Sequence, residues 1–80
     1  MQLAAADHAR QARMIERAGR LLFGRDWRHA FEDHFQLSNR ALRRMLKGEQ
    51  PVPEGLLRET ETAVRDHAGS CDELLEEMGR

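Results

Sequence analysis

The side chains of this chain best suited to chemistry cluster in one short stretch: Ser38, Asn39, Arg40, Arg43, Arg44 and Lys47. Arginine can donate two parallel hydrogen bonds to guanine, asparagine can pair doubly with adenine, and lysine can reach guanine or phosphate. No acidic residue occurs between Asp33 and Glu49. A helix face that only meets solvent more often mixes charges of both signs. Helical spacing puts Leu42, Met45 and Leu46 on the side opposite these cations. A short helix with an apolar back and a cationic front is suited to a DNA major groove. Asn39, Arg40, Arg43 and Arg44 are the candidates for base edges. Ser38, Arg28 and Lys47, with Arg10 and Arg13, are the candidates for phosphate.

Other chemistries find less support. His29 and His34 are five residues apart, and His67 and Cys71 are four apart, but no close cysteine pair completes a metal-ligand pattern. Cys71 reads as a small hydrophobe. The Ser38 hydroxyl is better used to cap a helix than as a nucleophile. The carboxylates from Glu59 to Glu77 fall on exposed helical faces, and nothing opposes two of them across a pocket. No glycine-rich phosphate loop occurs. The expectation is a non-catalytic protein with no metal, no cofactor and no small-molecule ligand.

Helices must position these residues. The chain holds one Ile, two Val, two Thr and no Tyr, so a sheet lacks its usual material. Glycines, prolines and capping residues divide the 80 residues into five expected helices. The first covers 4–23, with Ala5, Ala9, Ala12, Ile15, Ala18 and Leu22 inward and Arg10, Arg13, Arg17 and Arg20 outward. Gly24 stops it. Asp26 caps the second, 27–35, where Trp27, Phe31 and Phe35 recur every four residues and form the centre of the core. Ser38 caps the third, 39–46, and Gly48 ends it. The fourth starts at Pro53 or Glu54 and runs to about 68, with Leu56 or Leu57, Thr60, Val64 and Ala68 inward. Ser70 and Glu73 form a capping box for the fifth, 71–78, which presents Cys71, Leu74, Leu75 and Met78.

Size and charge add two constraints. Eighty residues make one domain, over 1–80, with nearly every large apolar side chain in the core. The net charge of −1 hides a split: residues 1–48 carry +5 and residues 49–80 carry −6. Anionic partners are steered to the amino-terminal part. A single Cys gives no intrachain disulfide and fits a reducing compartment. No apolar run suggests a signal peptide or a membrane span. A cytoplasmic protein with no membrane partner is expected.

The stretch WRHAFEDHFQLSNRALRRMLKGEQPVPEG, Trp27 to Gly55, resembles the helix-turn-helix domains of the Cro/C1 repressor superfamily, especially small phage- or prophage-type regulators. Trp27, Phe31, Phe35, Leu37, Ser38, Arg40, Leu42, Arg43, Met45, Gly48, Pro51 and Pro53 carry the resemblance. It implies an all-α, compact five-helix, lambda-repressor-like domain with a central helix-turn-helix unit at about 27–47. It also implies operator binding, often as a dimer. Its partner is double-stranded DNA, contacted by Ser38, Asn39, Arg40, Arg43, Arg44 and Lys47. Two positions depart from the family pattern. Glu32 replaces a small residue and is expected to reach solvent, to pair with Arg28, Arg43 or Arg44, or, pointing toward the third helix, to neutralise an arginine that would otherwise bind phosphate. Gln36 replaces a glycine in the turn. A homodimer is expected, with Leu74, Leu75 and Met78 as candidate contacts. The alternative function is a helical protein-interaction module that retains the helix-turn-helix body.

Overall fold

In the computed structural model the backbone is described over residues 3–80 and the side chains from Asp7 onward. The described residues form four helices: α1 (Leu3–Phe23), α2 (Trp27–Phe35), α3 (Asn39–Leu46) and α4 (Glu54–Met78). α1 packs against each of the other three, and α2 also touches α3. Ala12, Ile15 and Ala18 are buried on its inner face, whereas Ala9 stays exposed. Ala5 lies outside the described side chains.

The turns follow from backbone chemistry. Gly24 and Gly48 take positive φ values, 85° and 75°, where a side chain would be strained. Gly24 closes α1 by donating its N–H to the Arg20 carbonyl at 2.9 Å. At the end of α3, Gly48 donates to the Met45 carbonyl and Glu49 to the Arg44 carbonyl, both at 3.0 Å. Ser38 caps α3 as expected: its hydroxyl oxygen accepts the Ala41 N–H at 3.0 Å. Asp26 does not act as expected. It sits at the N-cap of α2 with φ −97° and ψ 48°, outside the extended geometry that aims the carboxylate at the helix, and makes no capping bond.

The core is one cluster of Ile15, Trp27, Phe31, Leu42, Met45, Val52 and Leu56, with Phe23, Phe35, Leu37, Ala41, Leu46 and Leu57 packed around it. Phe31 has no exposed surface and meets the Trp27 ring edge-on at 5.6 Å. Val52 enters the core because its own N–H donates to the Gln11 side-chain oxygen on α1 at 3.0 Å. That bond holds the Pro51–Pro53 segment against the first helix.

The expected fifth helix is not a separate element. Residues Glu54–Met78 are one helix of 25 residues, so the domain is all-α and compact with four helices, and the five-helix, lambda-repressor-like arrangement does not hold. Gly69 keeps helical φ, since only Gly24 and Gly48 among the described glycines have positive φ. Glycine inside a helix costs about 1 kcal/mol relative to alanine. Ending the helix there would leave a full set of terminal carbonyls and N–H groups unpaired, and a two-turn remainder too short to stand alone. The pairs Arg58–Glu54 and Arg65–Glu61, each four residues apart, run along the continuous helix, and Arg80 pairs back with Glu76 from just beyond its end. From Ala68 to Arg80 every residue is exposed, so Ala68 does not join the inner face expected of it, and the last three to four turns form an arm beyond the core. The arm lengthens the molecule to 53 Å, against 26 and 21 Å in the other directions.

Candidate nucleic-acid interface

α2 and α3 are joined by only Gln36, Leu37 and Ser38, and this turn sets how α3 is presented. Gln36 takes the left-handed conformation, φ 56° and ψ 50°, that glycine adopts most readily. A side chain there costs about 1 kcal/mol. The Gln36 amide offsets part of that cost by donating from Nε2 to the Asp33 carbonyl at 2.9 Å. The N–H groups of Gln36 and Leu37 both donate to the Glu32 carbonyl, which closes the end of α2. Leu37 then packs inward against the core. The turn is thus three residues long, with Gln36 supplying its left-handed residue.

With Leu42 and Met45 buried, the other side of α3 faces solvent. Arg40, Arg43, Arg44 and Lys47 line an open concavity of about 370 Å³ together with Glu49. Glu49 Oε1 lies 3.9 Å from Arg44 Nε, a loose pair between two half-exposed side chains. The structure therefore brings four of the six residues expected on this helix onto one cationic surface. Ser38 and Asn39 are exposed at its amino-terminal end.

Asn39 has a partner that sequence spacing did not reveal. Its Nδ2 donates to Glu32 Oε2 at 3.1 Å, while Glu32 Oε1 lies 3.5 Å from His29 Nδ1. Glu32 is buried, with 9% of its surface exposed. The expectation that Glu32 reaches solvent or pairs with Arg28, Arg43 or Arg44 is corrected: it faces the start of α3 and holds the Asn39 amide. One Asn39 amide hydrogen and the carbonyl oxygen remain for an external partner. The arginines keep their charge uncompensated by Glu32.

Arg28 stands apart from the concavity. Its guanidinium lies 5.8 Å from the centre of the Trp27 ring, a cation–π contact within its own helix. The α1 arginines divide. Arg13 shares a shallow groove of about 240 Å³ with Lys47 and Gly48, so it extends the cationic surface of α3. Arg17 and Arg20 instead line the cleft between α1 and α4.

Among the described residues no three of His, Cys, Asp and Glu gather to hold a metal ion. No described helix is long and apolar enough to cross a membrane. Comparison with protein-family models, curated proteins and solved structures finds no match. What is established is a compact all-helical domain carrying a cationic face on a short helix.

Proposed function

We propose that this chain is a non-catalytic, sequence-specific double-stranded DNA-binding regulator of the Cro/C1 helix-turn-helix kind, acting as a repressor by occupying its operator. In this reading α2, the Gln36–Ser38 turn and α3 are the helix-turn-helix unit, and α3 is the recognition helix. The observation that carries it is the shared face of Arg40, Arg43, Arg44 and Lys47, directly opposite the buried Leu42 and Met45. Arg40 and Arg43 supply the bidentate chemistry that selects guanine, and Asn39, steadied by Glu32, supplies the chemistry that selects adenine. Ser38, the free N–H groups at the start of α3, Lys47 and Arg13 take phosphate oxygens. Arg28, on the preceding helix, serves the same purpose from the flank.

The test is selection of bound duplexes from a random DNA pool, followed by sequencing and titration of the best duplex. A shared motif bound at least about tenfold more tightly than random DNA supports the reading, because specific sites exceed non-specific ones by far more than that. Failure to enrich any motif transfers the helix pair to the alternative, a protein-interaction module.

A further inference from the structure

The described residues contain five large apolar side chains that are about half exposed or more: Met14, Leu21, Leu74, Leu75 and Met78, from 48% to 73%. They are not scattered. Met14 and Leu21 line an open apolar groove between α1 and α4, about 700 Å³ in volume, with Ala18, Leu57 and Val64. Leu74, Leu75 and Met78 lie on the arm, which no other helix supports. A helical segment this short is marginal by itself in water.

We infer that the groove of one copy receives the arm of a second copy, with the two α4 helices antiparallel about a two-fold axis between His67 and Ala68. This deepens the expectation of a homodimer and is independent of the DNA reading, since neither surface includes α3. The register comes from the helix itself. Reversing α4 about that axis sets Leu57 opposite Met78, Thr60 opposite Leu75, Glu61 opposite Leu74, and Val64 opposite Cys71 of the second copy. Leu57 and Val64 thereby meet Met78 and Cys71, Leu74 and Leu75 lie over Glu61 and Thr60, and Ala68 falls at the centre, where a small residue lets two helices approach.

Charge agrees with this occupant. The arm carries Asp72, Glu73, Glu76 and Glu77 against one cation, Arg80. The groove is bordered by Arg17, Arg20 and Arg65 against Glu61. Arg20 and Arg65 already pair with Glu16 and Glu61 on their own helices, and Arg17 has no ion pair among the described residues. The acidic arm thus meets a rim whose unpaired charge is the cation of Arg17. A two-fold axis fills both grooves at once, as a closed isologous dimer requires.

The test combines mass with register. Sedimentation of the wild-type chain at micromolar concentration gives a particle of twice the chain mass. Leu75→Glu, at a position 65% exposed in the single chain, gives a monomer of unchanged helix content. Val64→Cys joins to the native Cys71 of a second copy through a short thiol-to-thiol linker, and the further change Cys71→Ser abolishes the product. A monomeric wild type, or a Leu75→Glu chain that remains dimeric, overturns the pairing. Efficient linking of the wild type through Cys71 alone overturns the antiparallel register, because two-fold-related copies of that residue are offset along the axis. Duplex binding is scored separately on a single half-site, so failure of the DNA reading leaves these outcomes intact.

Discussion

Gly19 lies inside α1, where alanine would ordinarily improve the helix by about 0.5–1 kcal/mol. Its surroundings reverse that expectation. A Cβ added at Gly19 would stand 2.0 Å from Trp27 Cε3 and 2.6 Å from both Cδ2 and Cζ3. Comfortable carbon contacts are about 3.5–4.0 Å. The Trp27 ring cannot turn aside: it is 2% exposed and packed edge-on against Phe31 in the centre of the core. Either α1 moves away from α2 or the indole leaves its rotamer. Overpacking of this kind costs about 1–3 kcal/mol, and the near-complete overlap places Gly19→Ala toward the upper end. After the helix gain is subtracted, the variant should lose about 2 kcal/mol. In a domain of this size that lowers Tm by about 10 °C. Urea and thermal melts followed by far-ultraviolet dichroism and by fluorescence of the single Trp measure it. Gly69→Ala is the matched control: nothing lies within 4 Å of its added Cβ and its φ is helical, so it should gain about 0.5–1 kcal/mol. A Gly19→Ala chain as stable as the wild type would refute the close packing of α1 on Trp27.

Other consequences are as direct. Leu42→Ala, at a residue 1% exposed, should cost about 2–5 kcal/mol in urea melts, and a loss below 1 kcal/mol would contradict its place in the core. Thr60 Oγ1 is buried without a hydrogen-bond partner, so Thr60→Val should leave stability unchanged or raise it by about 1 kcal/mol; a clear loss would reveal a missed bond. Glu32→Ala releases the Asn39 amide, so on the DNA reading it should relax selection at one base pair rather than weaken every duplex equally. Uniform weakening in a titration against single-mismatch duplexes would remove Glu32 from its positioning role.

Much of the fold near α3 was legible in the residues. Trp27, Phe31 and Phe35 at intervals of four, Ser38 three residues before Ala41, and Gly48 after Lys47 define α2 and α3 because caps and periodicity act within one or two turns. What escaped is non-local or balanced. Gly19 reads as a weak point in a helix, and only the arrival of Trp27 from the next helix explains it. Val52 lies in a loop between two prolines, and only the bond from its N–H to Gln11, 41 residues earlier, shows why it is buried in the core. At Gly69–Ser70 the stop signals are real, but an uninterrupted hydrogen-bond ladder outweighs them and merges two expected helices. The cationic residues of α3 were identifiable from spacing alone. The buried Glu32 bond to Asn39 was not, although an acidic residue only three residues before Phe35 and seven before Asn39 was the signal that could have found it.

The central claim, that α3 reads DNA, is tested most directly by fluorescence titration over a range of salt concentrations. Wild type, Arg43→Ala and Lys47→Ala are compared on the best selected duplex and its single-base variants. The account predicts that wild-type affinity falls steeply as salt rises. Arg43→Ala should lose about 1–3 kcal/mol of discrimination at one base pair. Lys47→Ala should weaken all duplexes alike and reduce the salt slope by about one. Binding that ignores both substitutions, with no duplex preferred over random sequence, would contradict the account.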